Sequence, residues 1–419
     1  MNYMNINKLD KYSVVIIVYI FFSFSLLFSK LEFHQATIDE GLYILQSKAI
    51  ASGKIPYKDF TTHLPPVYIG VLSLKNVWDK NSNNQLAHYR VLSYFTTIMA
   101  ATIVFLIVKR FVVAKFALLA VCLFAFTSLS AELLTATPSS LMLMFFLLSV
   151  YFVLQEFKFK NLLLSAVFSI LSLSTKPLML PACLTIFIFL LLHKPNGKKK
   201  IIIYLLSMFA LGVFLGCYFE YMSKGYFLET LLFHVKNTLM NGSFKSYNET
   251  LVVDKNILES LANRPIWSMA WGNHVSTFYN DRSLSSAFWF FIFSLLGGIS
   301  IFVRGKNIKQ LFLIFVLPWI MLFLFSLFVW RFTRYNHFNY YLFYMAFLTT
   351  YFFDYLMELT KKFKWNSIVN FLIFSSVIIY CTFSMQSILD RTHYLNNDNE
   401  DVRALNRIKF VNQKVLSFN

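Results

Sequence analysis

Residues 161–192 read NLLLSAVFSILSLSTKPLMLPACLTIFIFLLL, two apolar runs of about 16 residues separated by Thr175-Lys176-Pro177. A proline cannot continue a helix, and a lysine is costly inside hydrocarbon, so the break predicts two helices folded back as a tight hairpin. Comparable runs occur at 12–29, 90–108, 116–134, 138–157, 201–219, 286–303, 310–330, 335–357 and 366–385. Each approaches the roughly 20 residues needed to cross a bilayer as a helix. Together with the hairpin they predict an all-α polytopic membrane protein of about eleven transmembrane helices.

Composition supports this reading. Apolar residues fill 57% of the chain and charged residues only 14%, whereas soluble domains stand near half and a quarter. Phe alone occurs 49 times against 12 Gly and 9 Pro, which favours long helices with short connections. The runs lack the alternation of a membrane β-barrel. A net charge of +18 would suit a nucleic-acid binder, but the basic residues stand in twos and threes between apolar runs and form no single basic face. Cys122, Cys183, Cys217 and Cys381 all lie inside apolar runs with no CxxC pair, which excludes a disulfide framework or thiolate metal site. The first run follows Lys8 and Lys11 with no small-residue cleavage site after it, and is expected to stay as a helix.

The same basic clusters set the orientation. With the N-terminus cytoplasmic, alternation puts Lys109-Arg110 with Lys115, Lys158 with Lys160, Lys194 with 198–200, Arg304 with Lys306 and Lys309, and Lys361-Lys362-Lys364 all inside. The apolar segment 64–78 is short, opens with two prolines and carries Lys75, so it is expected to lie along the interface. Counting it as a span would turn the later clusters outward. The expected layout is a transmembrane domain over 1–385 with external loops at 30–89 and 220–285, and a short external tail at 386–419. The expected location is the inner membrane, with the working groups on its periplasmic face.

The first external loop contains HQATIDEGLYILQSKAIASGKIPYKDFTTHLPPVYIG, with Asp39-Glu40 at the start of a stretch of helical periodicity. Two acids there are favoured by the helix dipole, which alone would account for the pair. In wider context the arrangement resembles the GT-C fold glycosyltransferases that use polyprenyl-phosphate sugars, in particular the protein O-mannosyltransferase and lipid A aminoarabinose transferase group. The resemblance rests on a first membrane helix, Asp39-Glu40, Gly-Lys-Ile-Pro-Tyr-Lys-Asp-Phe at 53–60 and His63-Leu64-Pro65-Pro66. Arg90, Lys109-Arg110, Pro138 and Leu173-Ser174-Thr175-Lys176-Pro177 extend it, over roughly 12–200. Two positions depart from the family pattern. Thr137 precedes Pro138 where many relatives carry Asp, leaving Glu132 as the nearby acid, and Leu64 stands where relatives often have Lys.

The resemblance implies a sugar transferase in which Asp39 is the general base for the acceptor hydroxyl, with Glu40 beside it as a supporting or catalytic acid. The lipid-phosphate leaving group calls for cations, and the candidates are Lys176, Arg331, Arg334, His337 and His63. Candidate substrate contacts are Tyr57, Asp59, Glu132, Trp267 and His274, although Trp and Tyr also gather at any membrane interface. If a divalent metal takes part, Asp39 and Glu132 are the acids to hold it. The implied partners are a polyprenyl-phosphate-linked sugar, an acceptor that is a glycan, lipid or protein, and membrane lipids, with no nucleic acid. A transporter or flippase for a lipid-linked saccharide and an O-antigen ligase or polymerase are the alternatives. Asp354 and Glu358 are expected to pair locally with Lys361 and Lys362.

Overall fold

The computed structural model describes residues 11–29, 38–60, 62, 67–78, 85–127, 130, 133–155, 158–193, 197–225, 227–228, 282–305, 307–328, 340–361 and 365–394. Within these the chain is helical, and the single bridge of strand type joins Pro56 to Phe60. The helices are α1 (Lys11–Ser29), α2 (Ile38–Ala51), α3 (Val67–Trp78), α4 (Gln85–Val108), α5 (Ala114–Ala125), α6 (Ser139–Val153), α7 (Phe159–Thr175), α8 (Leu180–His193) and α9 (Gly197–Met222). Further along the chain come α10 (Arg282–Arg304), α11 over 308–328, α12 (Leu342–Thr360) and α13 (Asn366–Tyr394). A π-helical turn, Phe312–Val316, interrupts α11.

Each of the eleven apolar runs carries a helix. Among the described residues four helices, Lys11–Ser29, Leu86–Val108, Ile201–Met222 and Asn366–Gln386, are long and apolar enough to cross a membrane by length and composition alone, and the other apolar helices are shorter. The hairpin forms where the break stands: α7 ends at Thr175, Pro177–Met179 makes a 3-10 turn, and α8 starts at Leu180. Residues 67–78 form a separate helix of 12 residues, about 18 Å long and well short of a bilayer core.

One expected span is corrected. The α-helix in the run 116–134 ends at Ala125, and residues 128–129 and 131–132 lie outside the described residues. At its end the Ser130 hydroxyl donates to the carbonyls of Ala125 and Thr127 (2.7 Å each), taking over acceptors that a continuing helix would use. Pro138 then caps α6. Apolarity alone does not separate helix from irregular backbone enclosed by protein, and only enclosed backbone can be irregular at membrane depth.

The helices interlock in a continuous series in which α10 packs on α12, α12 on α5, α5 on α4, α4 on α6, α6 on α7 and α7 on α9. The centre is α5, buried on every side from Phe116 to Ala125, and α12 from Leu342 to Tyr351. The outer helices instead expose large apolar groups, including Phe21 on α1, Phe209 and Tyr221 on α9 and Phe383 on α13, each more than 70% exposed. In water such a surface would aggregate; in a bilayer it is the lipid face. Polar contacts join the helices where lipid is excluded. Ser149 and Ser165 exchange hydroxyl-to-carbonyl bonds, and Ser149, Ser169 and the Tyr204 hydroxyl continue the chain at 2.6 and 2.8 Å, stitching α6, α7 and α9.

Helices α10 and α12 approach closely at Gly297, where a Cβ would overlap the backbone carbonyl of Leu348. Backbone cannot swing aside as a side chain can, so Gly297→Ala should separate the two helices and cost about 1–3 kcal/mol. Gly298, with open space beside it, is the control. Thermal unfolding of both variants in detergent should show Gly297→Ala melting lower and Gly298→Ala unchanged. Equal melting of the two would show that this approach is not close.

Candidate active site

The start of α2 is pinned by a buried ion pair. The Glu40 carboxylate, fully buried, accepts Arg90 Nε on one oxygen and an Arg90 terminal nitrogen on the other, both at 2.8 Å. The first oxygen also accepts the backbone N–H of Ala136 at 2.7 Å. Arg90 is itself 2% exposed in the second turn of α4. Planar guanidinium against carboxylate is the geometry that arginine supplies and lysine does not. Neighbouring bonds hold the rest in place. The Thr97 hydroxyl donates to the Leu133 carbonyl (2.8 Å), Thr96 donates to Ser140 Oγ (2.9 Å), and the Tyr94 hydroxyl donates to the carbonyl of Phe24 near the end of α1 (2.9 Å). The unwound link after α5 is therefore stitched along α4 and beneath α2, and Glu40 fixes both.

Asp39 precedes Glu40 in the first turn of α2; its side chain lies outside the described residues, but its backbone is tied through Glu40. Further along the first loop, the 53–60 segment is closed by Asp59, whose carboxylate accepts the N–H of Ile55 at 2.7 Å while Tyr57 N–H donates to the Phe60 carbonyl at 2.9 Å. Asp59, a candidate substrate contact, shapes the loop here. Tyr57 takes a left-handed conformation (φ 69°), uncommon for a bulky residue, and its ring meets Phe227 edge-on at 5.2 Å. Burial pushes its phenol above the usual range. Phe227 is in turn presented by a turn in which Ser223 Oγ accepts its N–H (2.9 Å). The 53–60 segment and the residues just after α9 are thus in contact.

Lys176 stands at the tip of the hairpin between α7 and α8. Its level in the bundle follows from register: the Ser172 hydroxyl donates to the Met142 carbonyl and Ser165 pairs with Ser149, so α7 runs antiparallel to α6 and Thr175 lies level with Ser139. Ala136, on the Glu40 clasp, is three residues before Ser139. Lys176 therefore shares the end of the bundle that holds Glu40 and Arg90. Its ammonium sits over the Tyr340 ring at 5.1 Å from the centroid. Arg331, Arg334 and His337 belong to the segment just before Tyr340 and lie outside the described residues, as do His63, Glu132, Trp267 and His274. Among the described residues no three His, Cys, Asp or Glu side chains form a metal-binding group.

The opposite end collects the predicted cytoplasmic cations. Arg110 donates to the Leu154 carbonyl (2.7 Å), and Lys115 donates to Asn370 Oδ1 (2.8 Å). Arg304 reaches Asp354 (2.8 Å) and Glu358 (2.7 Å). Among the described residues these two acids meet Arg304 of α10, a partner from another helix beside the local Lys361 and Lys362 that spacing suggested, of which Lys362 lies outside the described residues. The contacts of Arg90, Tyr340 and Phe227 are not foreshadowed by any motif in the sequence. The available signal for Arg90 was a guanidinium inside an apolar run, which demands an acid from elsewhere in the fold.

Residues 81–218 match the family model for dolichyl-phosphate-mannose-protein mannosyltransferase. Among solved structures, ArnT from Cupriavidus metallidurans in the apo state is similar at TM-score 0.56 and 11% identity, over 90% of this chain and 75% of that one. The oligosaccharyltransferase of Archaeoglobus fulgidus is similar at TM-score 0.52 and 10% identity, over 90% of this chain and 53% of that one, so this chain spans about half its length. No curated protein matches the sequence. At such identities the two structures speak for the fold, and the family match speaks for the segment that carries Arg90, the unwound link and Lys176. Over that segment, about a third of its length, the chain is similar to the dolichyl-phosphate-mannose-protein mannosyltransferase family, and its multi-pass helical fold is similar to those of the two solved structures.

Proposed function

We propose that this protein transfers a sugar from a polyprenyl-phosphate donor to an acceptor hydroxyl at the extracytoplasmic face, with Asp39 as general base. The acceptor oxygen attacks the anomeric carbon from the side opposite the phosphate, inverting the centre. As that bond forms, the bond from the anomeric carbon to the phosphate oxygen breaks. The electron pair leaves with the polyprenyl phosphate, and the acceptor proton passes to the Asp39 carboxylate. Lys176, with Arg331 or Arg334, neutralises the charge that gathers on the leaving phosphate.

The observation that carries this reading is the division of labour in the acidic pair. Arg90 and the Ala136 N–H engage both oxygens of Glu40, so the buried member of the pair is structural and the proton-accepting role falls to Asp39. The family match, whose name specifies a polyprenol-type phosphate carrying a sugar, supports the donor class. The extracytoplasmic face is supported by the grouping of Arg110, Lys115 and Arg304 at the far end of the bundle from Glu40. Purified protein in detergent, given a panel of labelled polyprenyl-phosphate sugars and envelope extract, should release polyprenyl phosphate and form a glycosidic bond. Detergent abolishes compartments, so a protein that only moves the lipid between leaflets would form no such bond, and that outcome would refute the proposal.

A further inference from the structure

We infer that Tyr340 is a positioning residue for the donor phosphate, its ring serving as a rigid platform that holds the Lys176 ammonium ready for the lipid phosphate. The inference rests on the reading of Lys176 as a phosphate ligand and adds to it the group that makes the lysine effective.

The argument begins with how little freedom the backbone of Lys176 has. Its N–H donates to the Ser172 carbonyl at 3.0 Å, closing α7, and Pro177 follows, which holds the preceding residue extended. The observed φ of −156° and ψ of 114° meet both demands. What remains free is the four-carbon side chain, which is half-buried, and a lysine surrenders much of its rotamer entropy when a ligand immobilises it. The Tyr340 ring lies 5.1 Å from the ammonium. That ring is 4% exposed, and the next residue anchors it: the Tyr341 hydroxyl donates to the Leu322 carbonyl at 3.0 Å, fixing the start of α12 on α11. A cation held over an aromatic face keeps its remaining N–H donors for other acceptors, because the ring occupies one side of the ammonium only. The phosphate oxygens are then met by a lysine already in place. The same contact ties the tip of the α7–α8 hairpin to the residues that lead into α12.

The probe is undecaprenyl phosphate titrated into the full-length protein in detergent, with the uncharged polyprenol as reference. Tyr340→Leu should weaken phosphate binding about three- to thirtyfold, the span of a cation–π contact from half-exposed to desolvated. It should leave polyprenol binding unchanged. Tyr340→Phe, which keeps the ring, should retain tight binding and so guards against a variant that merely misfolds. In a Lys176→Met background the Tyr340→Leu change should have no further effect. If Lys176→Met weakens binding but Tyr340→Leu does not, or if Tyr340→Leu weakens it equally with and without the lysine, the platform role is overturned and the lysine's role stands. If Lys176→Met leaves phosphate binding intact, the reading of Lys176 fails first, and the inference fails with it.

Discussion

Asp39→Asn protein is expected to insert, purify and melt like the parent while losing sugar transfer by about a hundredfold to ten-thousandfold, the contribution of a positioned general base. The substitution keeps the shape of the side chain and removes only its ability to take a proton. The stability cost is small because an acid in the first turn of a helix gains about 0.3–1 kcal/mol from the dipole, and an asparagine retains part of that benefit as a cap. The burial that holds α2 in place belongs to Glu40, so the backbone bearing residue 39 is unmoved. The loss should appear in kcat, with binding of polyprenyl phosphate little changed, because the base acts on the acceptor and makes no contact with the leaving group in this scheme. An Asp39→Asn enzyme turning over at the parental rate would remove Asp39 from the chemistry and leave Glu40 and the acids outside the described residues to be tested in its place.

How far the fold could be read in advance depended on the range of the interactions involved. The hairpin at 175–177 is legible because its cause is local: a proline and a charge in an apolar run stop a helix wherever the run goes next. The end of α5 is not legible by the same means. Residues 116–134 remain apolar past Ala125, and what unwinds them is that Ser130 finds carbonyls there and that the link is enclosed by α4 and α2. The serines and threonines at 127–137 were in view, but their effect depends on a partner surface assembled from distant segments. The same limit explains the acids of α12. Spacing suggested lysines one turn away, whereas the fold supplies Arg304 from another helix, 50 residues back. At the site, Asp39-Glu40 could be singled out together by their position after the first helix. The proposed division into a structural and a chemical member rests on the Arg90 contact, which no spacing rule reaches across 50 residues. Lys176 could be singled out because a lysine between apolar runs needs a reason; its platform, Tyr340, is one tyrosine among 23 until the fold brings it there.

The Glu40–Arg90 pair makes the opposite prediction to Asp39, one of stability before chemistry. Arg90→Ala should cost about 3–5 kcal/mol, because it leaves a carboxylate with 0% exposure and no cation to balance it. Arg90→Lys should recover only part of this, since an ammonium cannot meet both carboxylate oxygens in the parallel geometry that Nε and the terminal nitrogen adopt. Replacing both partners, as in Glu40→Leu with Arg90→Met, removes the buried charges together and should restore much of the melting temperature. It should not restore transfer. The Ala136 N–H would lose its acceptor and the start of α2 would lose its tether to the unwound link, so the backbone carrying Asp39 would no longer be fixed relative to Lys176. Melting temperatures and turnover measured on the same three preparations would therefore diverge: stability low, partly restored and largely restored, with activity reduced in all and absent in the double variant. A double variant that regained both would mean that the ion pair serves folding alone, and that Asp39 owes its placement to some other contact.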